Sequence, residues 1–290
     1  MGTRARVLAV GPRFLGAMAR HRIAQLEDRW TRFRPSELTR LNERNGDWVP
    51  VSADTLELVR RMCEGWRLTE GRFDPTVHDA MLANGYRRDL ATIGAAGRPV
   101  DSAEPVAAPG CEGIAIDPIG GAVRLPPGVH LDAGGLGKGL AADLVTAELV
   151  EAGASGALVS LGGDVRVRGE LGPDRPWRIA VKDPATGRVV SRLRLRDGGI
   201  ATSSVARRRW RLSNGRRAHH LVDPRTGSPT DETVRSASVV ASDCWRAEVL
   251  ATATVVAGRR RADVLGHGHS ALVTLASGLR EGSGTFAAAA

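Results

Sequence analysis

Glu248 and Thr252 stand four residues apart in the run Ala247-Glu248-Val249-Leu250-Ala251-Thr252, a spacing that sets both side-chain oxygens on one face of a helix. A carboxylate beside a hydroxyl suits a hard cation such as Mg²⁺, which takes few protein oxygens and completes its shell with phosphate oxygens. A plain Glu-to-Thr hydrogen bond on an exposed helix face is the competing explanation. A second stretch, Leu131-Asp132-Ala133-Gly134-Gly135-Leu136-Gly137-Lys138-Gly139, runs into the helix-like segment 140–150. Glycines let backbone N–H groups approach a ligand closely, and a helix N-terminus adds unpaired donors, so this element is suited to a phosphate or pyrophosphate. It is no P-loop, because Lys138 is followed by Gly139 where Ser or Thr is required. A dinucleotide fingerprint can be forced only through Gly137, Gly139 and Ala142, with Asp132 in a strand end that should be apolar.

Two further loops carry reactive residue types: Phe73-Asp74-Pro75-Thr76, and His219-His220-Leu221-Val222-Asp223-Pro224-Arg225-Thr226-Gly227. The histidines lack zinc-ligand spacing. Ser203, His220 and Asp223 can be written as a hydrolase triad, but no G-x-S-x-G elbow supports it.

These loops need elements to position them. Residues 3–10 read as an opening strand, and 14–30 as an amphipathic helix with Leu15, Met18, Ile23, Leu26 and Trp30 on helical spacing. Ser36 caps a short turn, and 48–51 is extended. Ser52 caps a helix reaching Thr69, with Leu56, Val59, Cys63 and Trp66 inward and Gly71 as its stop. Asp74 with Pro75 reads as the start of a helix ending at Asn84-Gly85. Residues 89–110 read as a surface connection, and 113–117 with 122–125 as a hairpin. The apolar run 157–161 fits a strand buried on both faces. Strands follow at 177–181, 189–195 and 200–202, then a hairpin over 208–222 about Asn214-Gly215. A strand at 234–241, a helix opened by Ser242, a small helix near Ala262, a strand at 271–275 and an alanine tail complete the chain. Helices first, then antiparallel hairpins with interspersed helices, predict an α+β fold.

Composition narrows the class. Hydrophobic content of 42% and charged content of 25% over 290 residues describe a globular chain with ample core. No run approaches ~18 uninterrupted apolar residues, so no membrane insertion is expected. Arg4, Arg6, Pro12, Arg13 and Arg20 interrupt any signal-peptide core, which points to a cytoplasmic protein. Cys63, Cys111 and Cys244 are odd in number and widely spaced, as reduced thiols would be. The net charge of +9 comes from scattered arginine; with one Tyr and four Phe there is little aromatic interleaving, and nucleic acid is not expected as a partner.

Taken in order, the motifs resemble the ApbE-like flavin transferases, FAD:protein FMN transferases. The matching blocks are Met1-Gly2-Thr3, residues 31–42 (TRFRPSELTRLN), 71–77, 131–143, 158–164, Ala201-Thr202-Ser203, 220–227 and 247–253, so the resemblance covers most of the chain. It implies a single α+β domain over 1–290 with mostly antiparallel strands and flanking helices, divided into a helical part (1–112), a sheet-rich part (113–277) and a tail (278–290). It implies transfer of FMN from FAD to a threonine hydroxyl of a target flavoprotein, with release of AMP; some relatives use water instead and hydrolyse FAD. A flavin-binding protein without catalysis is a third possibility.

The resemblance further implies that Mg²⁺ is held by the main-chain oxygen of Gly137, the carboxylate of Glu248 and the hydroxyl of Thr252. FAD contacts fall at Met1, Tyr86, Gly134, Leu140, Val222 and Ala251, with Tyr86 a candidate stacking surface. His220 becomes the base for the acceptor hydroxyl, while Asp223 and Thr226 shape its loop. Three departures stand out. Glu248 occupies a position that most often holds aspartate, Ser204 stands where glycine is usual, and the chain opens at the Met-Gly-Thr block where many relatives carry an export signal.

Overall fold

The computed structural model describes residues 3–88, 99–172, 174–266 and 268–289. In chain order the elements are β1 (Ala5–Val10), α1 (Leu15–Trp30), α2 (Glu37–Glu43), β2 (Trp48–Pro50), α3 (Ala53–Leu68), α4 (His78–Ala83), β3 (Ala115–Asp117) and β4 (Ala122–Arg124). Then come α5 (Gly137–Glu151), β5 (Gly156–Leu161), β6 (Asp164–Gly169), β7 (Trp177–Lys182), β8 (Val189–Leu195), β9 (Asp197–Ser204), β10 (Arg209–Arg211) and β11 (Arg217–His219). The chain closes with β12 (Val234–Ala241), α6 (Cys244–Ala257), α7 (Arg261–Leu265), β13 (Ser270–Leu275) and β14 (Arg280–Gly282). All pairings among these strands are antiparallel. The fold is α+β, with antiparallel sheets flanked by helices.

The described residues form two compact units that alternate along the chain: Glu27–Gly135 with Arg207–Asp231, and Thr3–Leu26 with Leu136–Ala206 and Glu232–Ala290. The second unit is built on a seven-stranded sheet of order β1-β5-β6-β9-β12-β13-β14. Helices α5 and α6 pack together on one face, α5 over β5 and β6, α6 over β9 and β12. The other face is covered by the β7–β8 hairpin, through Leu158, Val165, Val167, Trp177, Ile179, Leu193, Ile200, Leu272 and Phe286. This two-sided cover explains why β5 is apolar at almost every position. The presumed alanine tail takes part in the layer: β14 pairs with β13, and Phe286 is fully buried.

In the first unit, a capping box of Ser36 and Thr39 starts α2, and Ser52 caps α3, as their sequences predict. Two expectations shift. The α3 stripe turns by one position, burying Leu58 and Met62 fully and leaving Leu56 and Trp66 half-buried. Asp74 is no helix cap: its Oδ1 accepts from both the N–H and the hydroxyl of Thr76, at 2.8 and 2.6 Å, closing a local turn, and α4 begins only at His78. Asparagine and aspartate favour such turns because their side chains mimic a backbone carbonyl. Part of the 89–110 connection lies outside the described residues.

Candidate functional site

The second unit gathers a buried charged centre at the start of α5. The Lys138 ammonium bridges the carboxylates of Asp164 and Glu248. Each carboxylate is held a second time: Gly139 N–H donates to Glu248 Oε2 at 2.7 Å, and Thr202 N–H to Asp164 Oδ1 at 3.1 Å. One turn beyond Glu248 on α6, the Thr252 hydroxyl meets Ser203 Oγ at 2.9 Å. Burial pushes the Glu248 carboxyl up to about 7, opposed by the Lys138 charge and abetted by Asp164. Burial works against the Lys138 charge too, but Asp164 and Glu248 outweigh it and hold the ammonium protonated.

The helix geometry behind this centre depends on two close approaches. A Cβ on Gly139 of α5 would meet the Cys244 carbonyl oxygen at 2.6 Å, and one on Gly199 of β9 would meet Cys244 Cα at 2.4 Å. The first turn of α6 is therefore wedged between two glycines. Asp143, one turn along α5 from Gly139, donates nothing and accepts the N–H groups of Cys244 and Trp245, both at 2.9 Å. It thereby caps α6 from another helix, in contact with Arg166 at 3.0 Å, and fixes the phase that turns Glu248 toward Lys138. Burial lifts the Asp143 carboxyl to about 7, against those two N–H donors and Arg166.

The first unit holds the remaining loops. Asn42 grips Leu131 with both ends of its amide, Nδ2 donating to the carbonyl at 2.9 Å and Oδ1 accepting from the N–H at 2.8 Å. Asp132 N–H donates to the Pro75 carbonyl at 2.7 Å, which joins the Asp74–Thr76 turn to the start of the glycine stretch. Arg32 pairs with Asp132 at 2.9 Å and donates to the Tyr86 carbonyl at 2.8 Å. The Tyr86 ring is stacked on Trp210, with centroids 5.2 Å apart, and the Arg32 guanidinium lies 4.5 Å from its centroid. In the His220 loop, Thr226 and Gly227 N–H groups donate to the Asp223 carbonyl, and Gly227 sits at φ +68° where a Cβ would strike Val106. Asp223 and Thr226 are thus loop-forming groups.

Glu248, Thr252 and Gly137 belong to the second unit, where Gly137 is the first residue of α5. Gly134 is exposed, its N–H donating to Asp132 Oδ1 at 2.6 Å. Leu140 and Ala251 are buried core positions, as is Val222 in the cluster around Tyr86 and Trp210, so their side chains serve packing. His220 follows β11 and is half-buried. Met1 lies outside the described residues. Lys138, Asp164, Asp143 and Arg32 have roles that residue type alone did not reveal, although each lies inside one of the ordered blocks read from the sequence.

Among the described residues, His78, Asp79 and His130 form another group whose potential ligand atoms lie within 4.8 Å of one another. Asp79 accepts from both imidazole Nδ1 atoms, at 3.0 and 2.9 Å. Two imidazoles and one carboxylate are a softer set than Mg²⁺ selects, whereas the centre at Glu248 offers only oxygens.

Comparison with known proteins agrees with this fold. Residues 1–272 match the ApbE family. An FAD:protein FMN transferase of Rhodobacter capsulatus is 33% identical over 237 residues, which is 81% of this chain and 45% of that protein. The FAD:protein FMN transferase of Vibrio cholerae is 30% identical over 249 residues, 82% of this chain and 72% of that protein. The chain thus spans about half the length of the first relative and most of the second. Among solved structures, the ApbE protein of Thermotoga maritima superposes with a TM-score of 0.82 at 29% identity, covering 98% of this chain and 95% of that one. The flavin transferase ApbE of Vibrio cholerae gives 0.77 at 26% identity, covering 99% and 95%. Blocks in the same order, a shared fold and a match over nearly the full sequence lead to one conclusion: this chain belongs to the ApbE family.

Proposed function

We propose that this protein moves the FMN half of FAD onto a threonine hydroxyl of a target flavoprotein, releasing AMP. The observation that carries the reading is the centre in which Lys138 joins Asp164 and Glu248 at the start of α5, with the Thr252 hydroxyl one helical turn away. The donor set fits Mg²⁺: two carboxylates against one ammonium leave one net negative charge, and every further donor is a hard oxygen. Glu248, Thr252 and the Gly137 carbonyl are the residues that would hold the ion, with Asp164 beside them. Bound there, the ion supplies charge stabilisation to phosphate oxygens.

The rest of the chemistry is assigned to the chain itself. The N-terminal N–H groups of α5 face anionic oxygens, as helix N-termini do. Lys138 bridges the two carboxylates, and its charge opposes the burial that raises the Glu248 carboxyl. His220 accepts the proton of the acceptor threonine as its oxygen attacks the phosphorus on the riboflavin side of the pyrophosphate. The bond from that phosphorus to the bridging oxygen breaks, and AMP leaves with the electron pair. The Asp223–Gly227 turn fixes the loop that carries His220.

The test is incubation of the protein with FAD and Mg²⁺, with and without an acceptor flavoprotein domain, followed by mass spectrometry. An acceptor heavier by one FMN moiety, with AMP released, is the expected outcome. AMP and free FMN with an unlabelled acceptor would replace the transferase reading with FAD hydrolysis. Intact FAD throughout would leave a flavin-binding protein.

A further inference from the structure

His78 and Asp79 are neighbours on α4, and His130 stands just before the glycine stretch, yet the fold sets their side chains together within the first unit. One carboxylate serves both rings: Asp79 Oδ1 accepts from His78 Nδ1 at 3.0 Å and Oδ2 from His130 Nδ1 at 2.9 Å. The potential ligand atoms of all three lie within 4.8 Å of one another, and the ring centroids are 5.8 Å apart. Burial works to raise the Asp79 carboxyl, but the hydrogen bonds from the two imidazoles outweigh it and hold the group below its ordinary value, as an ionised acceptor. The side chains of His78, Asp79 and His130 are 16%, 43% and 27% exposed, so small ions reach a cluster that the chain partly shields. The segment beside it is firmly held, because Asn42 grips Leu131 and Asp132 N–H donates to the Pro75 carbonyl.

We propose that His78, Asp79 and His130 form a binding site for a divalent ion of the zinc class, separate from the oxygen-lined centre at Glu248. Imidazole nitrogen with carboxylate oxygen is a donor set that suits Zn²⁺ and its transition-metal neighbours, and three protein ligands with a fourth position open to water is a common zinc arrangement. Zinc–nitrogen and zinc–oxygen bonds of ~2.0–2.2 Å put neighbouring donors ~3.3 Å apart in a tetrahedron. The two carboxylate-to-imidazole separations are already close to that spacing, and the ion has only to draw the rings toward each other. It takes the place of the Nδ1 proton on each ring, and that proton moves to Nε2. Both imidazoles stay neutral, and Asp79 offsets one charge of the ion.

Asn45 decides how readily His130 makes that exchange. Its amide oxygen accepts from Gly128 N–H at 3.1 Å and its Nδ2 donates to the Asn42 carbonyl at 2.8 Å, which aims Nδ2 at His130 Nε2, 2.9 Å away. Without the ion, Nε2 is therefore the acceptor and the proton sits on Nδ1. With the ion, Nε2 carries the proton and the Asn45 contact opens. His78 has no such restraint: among the described residues its one hydrogen bond is to Asp79. Bound there, the ion would pin α4 to the segment that leads into the glycine stretch.

The test is Zn²⁺ binding to the full chain, by equilibrium dialysis in excess Mg²⁺, with long-range proton–nitrogen NMR spectra of the imidazoles. One Zn²⁺ per chain is expected, with the Nδ1 signals of His78 and His130 moving from protonated to metal-bound and Nε2 becoming protonated. His78→Gln and His130→Gln should each weaken binding by ~10²-fold or more, at least the loss that follows removal of a group that merely orients a ligand. Glu248→Gln should bind Zn²⁺ as the parent does. Asn45→Ala should bind it several-fold tighter, since Nε2 is then free to take the proton. No binding, Zn²⁺ held equally by the histidine variants, or Zn²⁺ lost in Glu248→Gln would overturn the proposal. So would weaker binding by Asn45→Ala, or bound Zn²⁺ with the His78 and His130 signals unmoved. The spectra are recorded on the unaltered chain, so the folding of a variant does not affect them, and the outcome does not depend on whether flavin is transferred.

Discussion

Glu248 has two tasks that pull in opposite directions. On the proposed function it is a metal ligand, and it is also the anchor for the Lys138 ammonium and the Gly139 N–H, in a place where burial alone raises its proton affinity. Replacing it by glutamine keeps the shape and an acceptor for Gly139 but removes the charge. Glu248→Gln should lower metal-dependent AMP release by ~10²-fold or more with the circular-dichroism spectrum unchanged; full activity would remove Glu248 from the metal site. His220 is tested separately. His220→Ala should slow flavin transfer by ~10²–10⁴-fold, the usual contribution of a general base, while equilibrium dialysis finds FAD binding intact. Equal losses in rate and binding would make His220 a positioning group.

At the scale of elements, the α5–α6 contact decides whether these residues meet. Gly139 and Gly199 admit the first turn of α6 to a distance no Cβ allows, and Asp143 caps that turn. Gly139→Ala should therefore cost about 1–3 kcal/mol of overpacking, read as a lower urea midpoint, and weaken metal binding because α6 must retreat. A midpoint equal to the parent would show that the contact yields freely. Asp143 makes a prediction about pH. Its carboxyl is lifted to about 7 in the folded chain, above the ordinary aspartate value of ~3.9. Between those two values the folded chain keeps a proton that the unfolded chain has lost. This group's contribution is therefore greatest below the unfolded value and declines as pH rises toward the folded value, by at most about 1.4 kcal/mol per pH unit. Asp143→Asn should be less stable, since its amide nitrogen cannot accept the second N–H, and should lose part of that pH slope. Denaturant midpoints at several pH values across the window test this, and an unchanged slope would refute it.

For the whole molecule, the proposed function makes FAD and Mg²⁺ a joint ligand, each completing the other's contacts. Saturating FAD at ~100 times its dissociation constant should add about 2.7 kcal/mol to stability, and the melting temperature should rise by several degrees only when Mg²⁺ is also present. An equal rise in chelator would separate flavin binding from the metal. No helix among the described residues is long and apolar enough to cross a membrane. The net charge of +9 remains spread over surface arginines, many of them in local pairs such as Arg60 with Glu57 and Arg261 with Glu281.

Much of this protein was legible in its sequence because much of it is locally encoded. Serine caps start α2 and α3 where their hydroxyls stand, helical spacing marks α1, and the ordered blocks point to the family before any coordinate is known. Local rules failed by small amounts where tertiary packing competes with them, as in the turned stripe of α3 and the Asp74 turn mistaken for a helix start. What the sequence alone could not decide was partnership. Lys138 meets Glu248, Asp143 caps α6 and Tyr86 stacks on Trp210 across separations that no periodicity spans. Such pairings are fixed only when sheet order and helix contact close long loops, so they depend on the whole fold's balance of chain entropy and packing.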